Sequence, residues 1–263
     1  MFLERHDVLV VADLHLGRGE SSNVSFPLGE RDDIRERLHG LLARFQPETV
    51  VFAGDVIHTF DRVSERSRAG LTELANVCHN AGASLELVAG NHDTALATAW
   101  DGPIHDEYVV SDPTDRDPSR QRDTSCEDDA VFDDDAVFDD DMVSEGNAAH
   151  GSEGVRTVVC HGHEPPERTA DRYVFGHVHP TIEIEGDRHP CFLVGPGAYR
   201  DADVLLLPAF NRLAPGVVVN EMGTAAFDSP LITDAGGLEP LVYDADAQET
   251  LRFPPLDAFR EML

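Results

Sequence analysis

Thr49-Val50-Val51-Phe52-Ala53-Gly54-Asp55-Val56-Ile57-His58 is an apolar run rich in β-branched residues that stops on a glycine and then presents Asp55 and His58. A run without polar alternation reads as a strand buried on both faces, and the Gly-Asp after it reads as a loop at the strand's end. The same grammar recurs along the chain. Val8 to Ala12 leads into Asp13-Leu14-His15, Ser84 to Ala89 into Gly90-Asn91-His92-Asp93, Val155 to Cys160 into His161-Gly162-His163, and Tyr173 to Phe175 into Gly176-His177-Val178-His179. One Asp or His in a loop is ordinary; five such loops in order call for a reason beyond folding.

Between these runs, Glu30 to Phe45 places Ile34, Leu38, Leu41, Leu42 and Phe45 at helical spacing, and Ser64 to Asn80 does the same with Leu71, Leu74, Ala75 and Cys78. The order is β-α-β-α-β, with helices covering a sheet whose ligand-binding loops gather at the strand ends. All the motifs are therefore expected on one edge. Beyond the last motif, Cys191 to Val194, Val204 to Pro208 and Gly216 to Asn220 are short apolar runs between Gly and Pro turn signals, which suggests a second, more antiparallel sheet. Packed on the open face of the first, it predicts an α/β fold, a four-layer α/β/β/α sandwich, as a single domain over residues 1–263.

Fifty acidic residues stand against 20 basic ones, all of them arginine, for a formal net charge of -30. An acidic tail, a mimic of nucleic acid and a surface adapted to high salt compete to explain this. Asp and Glu crowd the whole chain, and near-molar salt shortens the Debye length to about 3 Å, removing most self-repulsion, so a halophile cytosol is the favoured reading. Cys78, Cys126, Cys160 and Cys191 form no CxxC pair, which fits a reducing compartment. The charged first residues and the lack of an apolar run near the ~18 to 20 residues of a membrane span predict a soluble, unprocessed cytoplasmic protein.

Residues 112–153 break the pattern. They are acidic, poor in apolar residues, and repeat Asp-Ala-Val-Phe-Asp-Asp at 129–134 and 135–140. A disordered insertion is expected, with partner docking through Phe132 and Phe138 as the alternative.

The motif loops offer carboxylates from Asp13 and Asp55, an amide oxygen from Asn91, and imidazoles from His15, His161, His177 and His179. Oxygen and nitrogen donors without thiolate suit Mn²⁺, Fe²⁺, Co²⁺, Ni²⁺ or Zn²⁺, and the absence of closed Cys/His spacing argues against a structural zinc. Seven donors exceed what one four-coordinate ion uses. A carboxylate can bridge, so the set divides around Asp55 into two metals about 3.5 to 4 Å apart. Such a centre attracts phosphate, activates a bridging water and attacks phosphorus in line. His92, beside Asn91, is the candidate acid for the leaving oxygen, with Asp93 fixing its tautomer. His58 and His163 are read as hydrogen-bonding a metal ligand or phosphate, and Arg18 as either a phosphate clamp or an ordinary surface arginine. The six histidines outside the motifs receive no role, and Cys160 is read as core.

These motifs, D-x-H, G-D-x-x-H, G-N-H-D, H and G-H-x-H, resemble the calcineurin-like metallophosphoesterase superfamily from Val8 to Pro180. The resemblance implies Asp13, His15, Asp55 and His179 on one metal, Asp55, Asn91, His161 and His177 on the other, and His92 as the acid. A narrower resemblance rests on Asp13-Leu14-His15-Leu16-Gly17, Gly176-His177-Val178-His179-Pro180, Pro190-Cys191-Phe192 and Leu207-Pro208-Ala209-Phe210-Asn211. It points to the ICC-like, DNA ligase-associated phosphoesterase group. With the composition, it implies a halophilic archaeal source and DNA repair partners.

The expected activity is a manganese-dependent phosphodiesterase or nuclease acting on a nucleotide or nucleic acid. Without a basic stripe or aromatic platform, small or single-stranded substrates fit better than long duplexes. A phosphomonoesterase, including one acting on phosphoprotein, is the rival enzyme. A non-catalytic metal-binding partner module is the rival from another class, against which the intact His92 counts.

Overall fold

Alternation within the apolar runs sorts their side chains onto two faces. In strand Val8–Val11, Leu9 and Val11 pack beneath helices while Val8 and Val10 face the other way; in Thr49–Ala53, Val50 and Phe52 part from Val51 and Ala53 likewise. Both faces must then be covered, and two different layers cover them. The computed structural model describes residues 1–21, 29–58, 62–110, 137–138, 155–244, 247 and 249–262.

The first sheet runs in the order Ile104–His105, Ser84–Val88, Thr49–Ala53, Val8–Val11, Phe2–Leu3, Val137–Phe138. Its first four strands are mutually parallel, and Phe2–Leu3 turns back antiparallel on Val8–Val11. Helices Glu30–Phe45 and Glu65–Asn80 cover one face with Ile34, Leu38, Leu42, Leu71, Leu74 and Cys78, at the spacing the sequence predicts. Ser64 starts the second helix by accepting the Ser67 N–H at 2.9 Å, a cap that satisfies one free amide of the first turn. Glu30, Asp32 and Asp33 set negative charge at the N-terminal end of the first helix, where its dipole favours it.

The second sheet runs Glu249–Arg252, Glu239–Asp244, Phe192–Tyr199, Ala202–Leu206, Arg172–Phe175, Thr157–Val159, Tyr108–Val110. Strands Thr157–Val159 and Arg172–Phe175, which the sequence groups with the first series of runs, belong here, parallel to each other and to Ala202–Leu206. The two sheets close on a shared core that includes Val10, Val51, Val88, Val159, Val174 and Leu205. Two parallel blocks, one from each sheet, therefore end at a common edge.

The outer face of the second sheet, with Tyr173, Phe175, Leu193 and Leu206, is covered by a mixture of elements. A three-stranded sheet, Asp187–Pro190, Pro180–Ile184 and Val217–Val218, joins loop residues such as Phe227 and Leu231 and the short helix Leu256–Arg260. Val217–Val218 pairs with Pro180–Ile184 rather than entering the larger sheet. The result is the mixed α/β, multi-sheet architecture expected, with a fourth layer made mostly of small sheet and loops.

Of the acidic insertion 112–153, Val137–Phe138 form a strand parallel to Phe2–Leu3. The expected disorder of the rest, Phe132 and Cys126 lie outside the described residues. Cys78, Cys160 and Cys191 are free and buried. Among the described residues no helix is long and apolar enough to cross a membrane.

Candidate metal centre

At the common edge the motif loops leave their strands through an unusual backbone. Asp13, His15, Asp55, His177 and His179 all take positive φ, at 58°, 44°, 49°, 73° and 53°. Left-handed conformations cost of order 1 kcal/mol or more for residues with a Cβ, so five at one place need support from their surroundings. That support comes from neighbouring loops. The Asp13 N–H donates to the Gly54 carbonyl at 3.1 Å, His15 N–H to the Asp55 carbonyl at 2.7 Å, and Gly176 N–H to the His161 carbonyl at 3.1 Å. The carboxylates add to it: Asp13 accepts the His177 N–H at 3.0 Å and Asp55 accepts the His92 N–H at 2.9 Å.

The motif glycines owe their identity to the same crowding. A Cβ on Gly90 would stand 2.3 Å from both the backbone nitrogen and Oδ1 of Asp55, and one on Gly176 2.3 Å from Asp13 Oδ2. On Gly54 it would meet His161 Nδ1 at 2.2 Å. Each of these glycines lets its loop touch a donor carried by a different loop.

The donors the sequence singled out are brought together in two groups, Asp13 with His15 and His179, and Asp55 with His161 and His177. His179 Nε2 lies 3.2 Å from Asp13 Oδ1 and 3.3 Å from His15 Nε2. His161 Nε2 lies 3.3 Å from Asp55 Oδ1 and 3.0 Å from Asn91 Oδ1, while Asp55 Oδ2 is 3.7 Å from His15 Nε2. Asp13, His15, Asp55 and His161 are almost wholly buried, at 0, 2, 2 and 1% exposure. Two carboxylates in such a place with imidazole nitrogens facing one another form a donor set suited to cations.

Protonation follows from the same packing. Burial pulls His15 down to about 4 against the attraction of Asp55 and Asp13, which leaves its ring neutral and able to ligate. Burial also opposes charge on His161, but the Asp55 hydrogen bond and the charges of Asp13 and Asp55 outweigh it and raise the ring to about 9. For Asp55, burial is outweighed by His161, the His92 N–H and His15, and the carboxyl falls well below the usual range. Burial lowers His177 as well.

The remaining sequence candidates surround these groups. His92 Nδ1 sits 3.2 Å from the His58 carbonyl, and the His92 ring stacks on that of His58 at 5.7 Å. Asp93 corrects an expectation: rather than holding the His92 ring, its carboxylate accepts the N–H groups of Val56 at 3.1 Å, Ile57 at 3.0 Å and Gly90 at 2.9 Å. Opening the short 3-10 turn Asp93–Thr98, it points back beneath the Asp55 loop and braces it. His163 lies beside His161 and His177, with ring centroids 5.2 and 6.1 Å away. Arg18 donates from Nε to the Leu213 carbonyl at 3.1 Å and lies near enough to His58 to help lower its pKa, after burial.

Sequence reasoning overlooked two contributors. Asp228 is exposed, 3.8 Å from His177 Nε2, and no motif surrounds it to have pointed there. Asn211 is buried and donates to the Leu14 carbonyl and to Glu30 Oε1, both at 2.9 Å, tying the first motif loop to the helix. Its signal was the Leu207-Pro208-Ala209-Phe210-Asn211 stretch, noticed as a resemblance but given no task.

A two-sheet α/β fold with paired Asp and His groups at the ends of parallel strands defines a metal-dependent phosphoesterase. The chain belongs to the Calcineurin-like phosphoesterase family, which it matches over residues 6–181. Members of this family depend on two metal ions. Among solved structures, the nuclease MPE of Pseudomonas putida is similar, with 22% identity, a TM-score of 0.50, and coverage of 95% of this chain and 89% of that one. Yfce, a phosphoesterase from E. coli, is similar at 12% identity and a TM-score of 0.41, covering 94% of this chain and 98% of the other. A search of curated proteins finds no match.

Proposed function

We propose that this protein hydrolyses a phosphodiester in a nucleotide or nucleic acid, with Asp13, His15, Asp55 and His179 holding one metal and Asp55, Asn91, His161 and His177 the other. The supporting observation is the placement of Asp55, whose Oδ1 faces His161 and Oδ2 faces His15, so that one carboxylate serves both groups. Two divalent ions held there, manganese first given the oxygen and nitrogen donors, would supply an activated water and polarise the phosphoryl oxygens. His92 supplies the proton. Its Nδ1 donates to the His58 carbonyl, which leaves Nε2, 3.9 Å from Asp55 Oδ2, to carry the proton given to the leaving oxygen. Arg18, His58 and His163 border the donors and would orient phosphate oxygens by hydrogen bonds.

Diester chemistry is favoured by the nuclease among the similar folds and by the ICC-like resemblance that continues through Leu207 to Asn211. The same resemblance and the charge of -30 support the reading that the enzyme works in a halophile's cytoplasm with DNA repair proteins as partners. The deciding experiment measures hydrolysis of bis-para-nitrophenyl phosphate and para-nitrophenyl phosphate in molar KCl with Mn²⁺, for wild type and Asp55→Ala. Diester turnover abolished by the substitution supports the proposal. A preference for the monoester makes the protein a phosphatase, and binding of two metals with no turnover of either favours a highly selective enzyme or a partner module.

A further inference from the structure

A third set of donors stands beside the two metal groups. Ring nitrogens of His15, His58 and His92 all lie within 4.8 Å of one another. Two imidazole nitrogens on one zinc ion stand at most about 4.2 Å apart, so small ring rotations would close the three on a single cation. The rings converge from different directions: His92 stacks on His58 at 5.7 Å, and His15 meets both edge-on, at 5.2 Å from His92 and 5.5 Å from His58.

His92 is held in the tautomer of a ligand. Its Nδ1 is 3.2 Å from the His58 carbonyl, and a carbonyl only accepts, so Nδ1 carries hydrogen and the neutral ring keeps its lone pair on Nε2. Metal-bound histidines are commonly fixed in this way, by a backbone carbonyl on the far ring N–H. Charge is answered too. Arg18 is near enough to His58 to oppose a cation, while Asp55 Oδ2 lies 3.9 Å from His92 Nε2 and 3.7 Å from His15 Nε2 and attracts one. Imidazole donors suit Zn²⁺ better than Mn²⁺, which prefers oxygen. We propose that His15, His58 and His92 form a third, inhibitory site for Zn²⁺. An ion there draws His15 from the first metal position, which Asp13, Asp55 and His179 still line, so the site fills only when zinc is in excess. It also takes the lone pair of His92 Nε2, which then carries no proton for the leaving oxygen. The site stands on the three rings, and only its effect on turnover rests on the phosphoesterase reading above.

The test locates zinc by anomalous diffraction in crystals of wild type grown with excess Zn²⁺, and titrates Zn²⁺ and Mn²⁺ by calorimetry into metal-free wild type, His58→Ala and Arg18→Ala in molar KCl. An ion about 2.0–2.1 Å from a nitrogen of each of the three rings is expected. His58→Ala should weaken the last Zn²⁺ to bind by about tenfold or more and leave Mn²⁺ affinity unchanged, while Arg18→Ala should tighten that same zinc. Excess Zn²⁺ should suppress Mn²⁺-supported turnover of a diester with a poor leaving group in wild type, and do so less in His58→Ala relative to its own zinc-free rate. Zinc found only beside Asp13 and Asp55, or zinc affinities indifferent to both substitutions, overturns the site. Zinc on the three rings with equal suppression of wild type and His58→Ala overturns the inhibitory role. If wild type hydrolyses no diester while zinc still occupies the rings, the hydrolase reading falls and the metal site stands.

Discussion

Asp93→Ala separates a structural brace from a catalytic partner. The substitution leaves the N–H groups of Val56, Ile57 and Gly90 without their acceptor in a buried loop. Stranded buried donors cost about 1–3 kcal/mol each, so the gross penalty is about 4 kcal/mol or more. An opposing effect varies with pH. Burial, outweighing the three backbone hydrogen bonds and joined by the charge of Asp55, raises the Asp93 carboxyl from 3.8 to about 6. The fold thus disfavours the ionised form by about 3 kcal/mol, at ~1.4 kcal/mol per pKa unit. Because the native state keeps a proton that the unfolded chain releases, the stability this group contributes is greatest below about 4 and declines as pH rises through 6. In metal-free protein, the loss caused by Asp93→Ala should be about 4 kcal/mol near pH 5 and shrink to about 2.5 kcal/mol near pH 8. Urea unfolding followed by circular dichroism at the two pH values measures it directly. Unchanged stability at both, with turnover lost and metals retained, would refute the brace and restore Asp93 as the residue that orients His92.

Gly90→Ala and Gly176→Ala should each lower bound metal after dialysis, read by elemental analysis, because the new Cβ would enter the space of Asp55 or Asp13 at 2.3 Å. His92→Ala should keep its metals and lose about 10²- to 10⁴-fold in turnover on a diester with a poor leaving group, with a smaller loss on nitrophenyl esters; equal rates on the poor leaving group would remove its role as acid. Metal binding at pH 7 should release protons, since His161, at about 9 in the metal-free protein, must give up its proton to ligate. Calorimetry in buffers of different ionisation enthalpy counts them, and His161→Ala should reduce the number.

Much of the centre was legible because its signals are local. An apolar run followed by Gly-Asp or Gly-Asn states both a buried strand and a loop at its end, and the donor types in those loops restrict the chemistry before any contact is known. The helices Glu30–Phe45 and Glu65–Asn80 announced themselves through the period of their apolar residues in the same way. Partner choice has no comparable signal. Thr157–Val159 and Arg172–Phe175 carry the same apolar pattern as Val8–Val11, and a strand buried on both faces suits either sheet equally well.

Asp93 shows the limit at the level of one side chain: adjacency in sequence suggested His92 as its partner, while chain folding turned the carboxylate onto amides 36 and 37 residues away. The chain by itself determined which donor atoms are available and that strand-end loops carry them. Tertiary structure alone decided which sheet Thr157–Val159 and Arg172–Phe175 joined, that Asp93 braces the Asp55 loop, and that Asp228 stands beside His177. Each of those depends on contacts between residues far apart in the chain, where packing and hydrogen-bond satisfaction act and local pattern does not.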